Sequence, residues 1–181
     1  MKLFKCQGYN LTISEEAYAL KPFKELWKRD KSKNKEQALA ELAYIYFMED
    51  TRSDYQVYID KEERSKQVKL GEGLKESWKP DKLVIEAQEF YASFKSEAAL
   101  LLEDIRVAIT KLREFIKTID LSATDDKGKP IYTLNTYTAT IKQIPELITS
   151  LDEAERTIAK ETIGNDKVRG SVEKAMFEDD L

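Results

Sequence analysis

Glu49, Asp50 and Asp54, with Asp60 and Glu62 further on, place enough carboxylate oxygens for a hard cation inside ELAYIYFMEDTRSDYQVYIDKEER, residues 41–64. Two such carboxyls could instead divide acid and base roles, provided a cleft drove their pKa values apart. The spacing argues against both. A calcium loop needs acids at alternating positions, a central glycine and a terminal glutamate. That register is missing here and in DLSATDDKGKP, residues 120–130, where Asp120, Asp125 and Asp126 near Gly128 read as a turn. Most other acids sit beside lysines on faces expected to be solvated. No G-x-x-x-x-G-K-[ST] or G-x-G-x-x-G is present, and GEG at 71–73 is too short to cradle a phosphate. The sequence has no histidine, which removes the usual general base and the commonest transition-metal ligand. Its single Cys6 excludes an internal disulfide and a cysteine-rich zinc site, and suits a reducing compartment. The expectation is a protein that is not an enzyme and uses no cofactor or metal.

A different chemistry is offered by KPFKELWKRDKSKNK, residues 21–35. Lys24, Lys28, Arg29, Lys31, Lys33 and Lys35 could contact phosphates while Trp27 stacks on a base. Residues 1–35 hold nine Lys/Arg against four acids, and the rest hold 21 against 30. The competing reading is a solvated lysine face, with Trp27 turned into a core beside Phe23. Arg106 and Arg113 read as partners of Glu103, Asp104 or Glu114 in surface ion pairs of small value. Arg52 is the nearest cation to Glu49 and Asp50. Those acids fall at a helix exit, where the dipole disfavours them, so Arg52 or a basic group from another chain is expected to relieve them.

The elements that must position these residues are helical. The 181 residues are 41% apolar and 35% charged, with six glycines and four prolines, a balance that favours amphipathic helices over a turn-rich β fold. Residues 1–13 read as a small β hairpin or an extended arm. Ser14 before Glu15 and Glu16 reads as a helix N-cap, Pro22 as the opening of a second helix bearing Phe23, Leu26 and Trp27, and Asn34 as the cap of a third. From Lys35 to Met48 the apolar face widens as if entering a core. Asp60 with Glu63 predicts a capping-box start and Gly71 a stop. Leu74 and Trp78 share a further short turn.

From Pro80 apolar residues recur at steps of three and four, from Leu83 through Phe90, Phe94, Leu101 and Leu112 to Ile119, which predicts one helix of about 40 residues and about 60 Å. After the 120–130 break, Leu134 to Ile158 carry a second stripe, with Pro145 predicting a kink rather than an end. The expected architecture is all-α. It comprises a small N-terminal helical domain (1–79), a long antiparallel, coiled-coil-like αα-hairpin (80–160), and a docking tail (161–181) in which Val172, Met176 and Phe177 could make a contact. No apolar run approaches the ~20 residues of a membrane span, and no secretory h-region opens the chain, so the expectation is a soluble, cytoplasmic product.

The segments PFKELWKRDKSKNKEQALAELAYIYFMEDTRSDYQVY and KVRGSVEKAMF resemble mostly helical virion proteins encoded by tailed bacteriophages, in which a lysine-rich RDKSK break precedes an aromatic helix ending near Ser-x-Tyr. LREFIKTIDLSATDDKGKPIY is similar to the hairpin region of the same proteins. The resemblance implies a component of the head, neck or tail, assembled in the host cytoplasm, residing in the virion, and contacting other copies of itself and other virion proteins. A nucleic-acid-associated factor using residues 21–35 is the alternative; no membrane partner is expected.

Overall fold

The computed structural model describes residues 3–7 and 10–168; Val172, Met176 and Phe177 lie outside the described residues. The fold is all-α apart from one strand pair. β1 (Phe4–Gln7) and β2 (Asn10–Ile13) pair antiparallel, with Phe4 opposite Ile13, so the described part of residues 1–13 is a strand pair and not an extended arm. Leu3 and Phe4 are buried, and the Phe4 ring meets Phe23, Tyr46 and Tyr91 at 5.1–5.7 Å. The strand pair thereby closes one side of the aromatic core.

α1 (Glu15–Ala19) starts after Ser14, but the Ser14 hydroxyl caps nothing. α2 (Lys21–Arg29) carries Pro22 in its first turn, where a missing N–H costs little, and buries Phe23 and Leu26. Trp27 stays half-buried at the core edge, its ring 4.4 Å from Tyr18. α3 (Glu36–Glu49) is the central helix, with every side chain from Leu42 to Met48 buried. A helix apolar on all sides must be surrounded, and α2, α4, α5 and the 3-10 turn Asp54–Val57 all pack on it.

Asn34 does not cap α3. Lys35, at φ 56°, holds the N-cap position, and the donor at Ala38 N–H is met from a distance by Asp30 Oδ2 at 3.1 Å. Asp30 also accepts from Ser32 N–H, while its own N–H closes α2 on the Leu26 carbonyl. One residue therefore ties the exit of α2 to the entry of α3. α4 (Lys61–Gly71) opens on Asp60, whose carboxylate accepts from Glu63 N–H at 2.8 Å, and it ends at Gly71 as read. Leu74 is buried, and Trp78 meets Tyr44 edge-on at 4.9 Å.

The expected 40-residue helix is two helices. α5 (Lys82–Ala92) buries Val84 and Ala87 in the N-terminal core, and α6 (Glu97–Thr118) starts afresh at Ser96, whose hydroxyl accepts from Ala99 N–H. The hairpin's first arm is therefore α6, and α5 belongs with α2 and α3. The apolar period runs unbroken through the joint with no glycine or proline to mark it, because a serine cap stops a helix through hydrogen bonding and leaves the stripe untouched. α7 (Leu134–Val168) opens on Thr133, whose hydroxyl accepts from Thr136 N–H, and continues through Pro145 without ending. Contacts Ser96–Glu161, Arg106–Glu155 and Phe115–Tyr132 run in opposite order along the two arms, so α6 and α7 are antiparallel. Among the described residues, Leu102, Ile105 and Ala154 are the ones buried between them, all in the half nearest the core.

Candidate functional site

The C-terminal end of α3 leaves carbonyls with no helical partner, and this chain fills them with side chains. Ser53 Oγ donates to the Phe47 carbonyl at 3.0 Å, Gln56 Nε2 donates to those of Met48 and Asp50, and Arg64 Nη1 reaches Met48 O at 3.0 Å. The residues following the helix thus turn back over its end, which is why TRSDYQVY is compact despite its irregular sequence. Arg64 also donates from Nε to Tyr58 O at 2.9 Å.

The two acids at this exit are answered within the chain. Arg52 grips Asp50 with two nitrogens, Nε to Oδ1 at 2.8 Å and Nη2 to Oδ2 at 2.6 Å, and Tyr91 of α5 donates its hydroxyl to Oδ2 at 2.6 Å. Glu49 accepts from Gln88 Nε2 at 2.6 Å and from Lys95 Nζ at 2.8 Å, and Lys95 holds Glu103 of α6 at 2.7 Å. Burial alone would push both carboxyls up; their cationic and hydrogen-bonding partners outweigh it and hold both below the ordinary range. Burial, then the Asp50 carboxylate, raises the Tyr91 phenol, and the same carboxylate raises the Arg52 guanidinium despite its desolvation. This is a junction of paired charges joining α3, α5 and α6.

Asp54 and Glu62 are exposed and take no part, and Asp60 is spent on its cap. The five acids of 49–62 are not brought together, and among the described residues no cluster of three metal-ligating side chains occurs. In the 120–130 loop, Asp120 accepts from Ser122 N–H and Asp125 from the N–H groups of Lys127 and Lys129, around Gly128 at φ 75°, so those acids shape a turn.

The basic segment divides. Arg29 pairs with Glu41 at 2.5 Å and with Asp81, and Lys35 donates to the Asp30 carbonyl with its ammonium 5.7 Å from the Trp27 ring. Those two cations hold α2 to α3 and α5. Lys24, Lys28, Lys31 and Lys33 stay exposed. Arg106 pairs across the hairpin with Glu155 at 3.1 Å rather than with a neighbour on its own helix, and its Nη1 is buried without a partner.

Between the core and the hairpin lies a cleft of about 570 Å³, walled by Thr51–Asp54 on one side and by Leu102, Arg106, Glu155 and Ile158 on the other. Both of its arginines are paired, Arg52 with Asp50 and Arg106 with Glu155. Outside the cleft, the apolar residues left uncovered fall mainly on the hairpin, with Leu121, Ile131, Leu134, Ile141 and Ile148 each more than 40% exposed. The chain matches no family model, no curated protein and no solved structure.

Arg52 is legible in the sequence because it stands two residues from Asp50. Tyr91, Lys95, Gln88 and Arg64, the other half of the junction, are not. They lie 16 to 46 residues from the groups they bind, and nothing local signals them. A charged Lys95 inside the apolar run Phe90–Phe94–Ala98 was the one available hint.

Proposed function

We propose that this chain is a structural or assembly protein of a tailed-phage particle, working through protein–protein contacts in the head, neck or tail, and that it is not an enzyme. The observation that carries the contact role is the distal hairpin. Beyond Ile105 on α6 and before Ala154 on α7 no apolar side chain is buried, although both helices keep their apolar stripes throughout. Two helices alone cannot enclose such stripes, and a long pair with an uncovered seam is stabilised when neighbours cover it. The particle itself is supported by the resemblance of residues 22–58 and of the hairpin region to helical virion proteins. The proposed residence is the virion, after assembly in the host cytoplasm, with partners that include further copies of the chain. Mass spectrometry of purified particles tests this reading: the protein is expected among the particle components, and its absence from both mature particles and assembly intermediates would sink it.

A nucleic-acid role for residues 21–35 keeps exposed Lys24, Lys28, Lys31 and Lys33 in its favour but loses Arg29 and Lys35 to internal partners. If it operates, DNA affinity falls steeply with salt and disappears when Lys24, Lys28, Lys31 and Lys33 are all changed to Glu.

A further inference from the structure

A buried charge without a counter-ion lies at the seam between the core and the hairpin. Arg64 is 8% exposed, yet no carboxylate among the described residues pairs with it. Its Nη1 and Nε donate to the Met48 and Tyr58 carbonyls, which are neutral acceptors, and its Nη2 makes no hydrogen bond among the described residues. The acids whose fields reach it are already engaged: Glu49 and Glu103 both hold Lys95, at 2.8 and 2.7 Å. Burial outweighs those fields, and Arg106 adds its repulsion, so the Arg64 guanidinium stands below its ordinary value. Arg52 and Arg29, each bonded to a carboxylate, stand above theirs. A buried cation is costly unless it is paired.

Arg64 borders a pocket of about 220 Å³ that α4 and α6 wall together. Lys61, one turn earlier on the same face of α4, borders it too; it is exposed and makes no ion pair among the described residues. Arg106 borders it from α6, and its Nη1 has no acceptor. Two acids also line the space, Glu103, which Lys95 holds, and Asp104, which is exposed and unpaired among the described residues. Asp60, Glu62 and Glu63, at the start of α4, do not line it. Three cations from two elements therefore converge on one small space against two carboxylates.

We infer that this pocket binds a phosphate group as its dianion, held by Lys61 and Arg64 of α4 on one side and by Arg106 of α6 on the other. Its volume lies below the ~300 Å³ at which sites for drug-sized ligands begin, so it takes a small anionic head group and not the base and sugar of a nucleotide. A tetrahedral oxyanion presents acceptors to both walls at once, whereas a planar carboxylate suits a single guanidinium fork. Bound there, it gives Arg64 the counter-charge it lacks and an acceptor for Nη2, offers Arg106 a second acceptor, and ties the core to the hairpin through one ion. Asp104 opposes it and limits the affinity. The site is separate from the contact role proposed above and does not depend on which particle the chain serves.

The test is a calorimetric titration of the full chain with inorganic phosphate at about pH 8, where the dianion dominates, with ionic strength held constant by chloride. One site is expected, with Kd below about 1 mM. In a parallel NMR titration the Nε–H signals of Arg64 and Arg106 move, while those of Arg29 and Arg52 stay. Lys61→Gln and Arg106→Gln each weaken binding about tenfold, and Asp104→Asn strengthens it, with circular dichroism confirming the fold. Lys61 and Asp104 are exposed and unpaired among the described residues, so their variants probe the pocket without disturbing the helices. Glu155→Gln, which breaks the Arg106 pair but keeps the arginine, retains binding. Glycerol phosphate as a second titrant separates the sources: weaker binding than phosphate assigns the free ion, tighter binding the head of a phosphomonoester. The inference is overturned if about 10 mM phosphate moves neither arginine signal, if acetate binds as tightly, or if Lys61→Gln and Arg106→Gln leave the affinity unchanged.

Discussion

Asp50 is a buried carboxylate at the wrong end of a helix dipole, and it is tolerated because four donors converge on it. Removing the acid therefore costs more than one hydrogen bond: Asp50→Ala leaves the Tyr91 hydroxyl buried without an acceptor and Arg52 without its grip. The expected loss is about 2–3 kcal/mol in urea unfolding, against about 1 kcal/mol for Tyr91→Phe, which keeps the ring contacts with Phe4 and Phe23. A loss for Asp50→Ala no larger than that for Tyr91→Phe would mean that Arg52 contributes nothing. Gly71 offers a second test. A Cβ at that position would overlap the Tyr55 hydroxyl, whose ring is packed on Phe47 at 5.1 Å and is not free to swing away. Gly71→Ala is expected to lose about 1–2 kcal/mol although alanine favours helix, and Tyr55→Phe in the same chain should recover part of it. Neither site was fully legible in the sequence. Arg52 is a neighbour of Asp50 in the chain, but Tyr91 is 41 residues away, and Gly71 reads as a helix stop without showing the ring that needs the space.

At the scale of elements, apolar patterning identified α3 and α7, the Asp60 cap and the Gly71 stop identified α4, and Asp60 and Pro22 placed two starts within a residue. The same periodicity concealed the α5–α6 joint. Ser96 leaves the helical region at ψ 162°, while Phe94 and Lys95 N–H still bond three residues back, so the whole change of direction is taken up around one capped residue. Lys95 then fixes the direction taken, with its ammonium between Glu49 of α3 and Glu103 of α6 and only 14% of its side chain exposed. Lys95→Met should leave Glu49 largely buried with Gln88 as its remaining partner, costing about 2–3 kcal/mol. Its carboxyl should then move up, since desolvation is the largest influence on it and Lys95 the first that opposes it. Both effects are measurable, the first by urea unfolding and the second by carboxyl NMR titration; a Glu49 carboxyl that stays below the ordinary range in Lys95→Met would show that Gln88 and distant charges suffice. Ser96→Ala is expected to cost about 1 kcal/mol through the lost cap.

For the molecule as a whole, the all-α class of fold could be read from where apolar residues recur, because burial leaves a period, whereas the same period hid that α5 belongs to the core. The charged junction could not, because charge pairing across distant elements leaves none. Yet that junction, with Asp30 between α2 and α3, sets the response of the fold to pH. Asp30 is held to about 2 by the N–H and hydroxyl of Ser32 and the N–H of Ala38, and Asp50 and Glu49 lie below their ordinary 3.8 and 4.5. A carboxyl lowered by folding binds its proton more readily in the unfolded chain, so its contribution is complete above about pH 5 and is lost as acid protonates it towards about pH 2. Lys95 and Tyr91 are raised above their ordinary 10.5 and 10.0, so theirs is complete below about pH 10 and is lost as the pH climbs beyond. With no histidine in the sequence, nothing in the side-chain set titrates near neutrality unless it is strongly perturbed. The urea midpoint should therefore be flat from about pH 5.5 to 9 and fall on both sides, with Asp50→Asn flattening the acid limb and sparing much of the alkaline limb, since burial is the larger cause at Tyr91. A midpoint that moves substantially between pH 6 and 8 would place a titrating group outside this junction. An acid limb unchanged by Asp50→Asn would show that the carboxylate at the end of α3 is not what acid undoes.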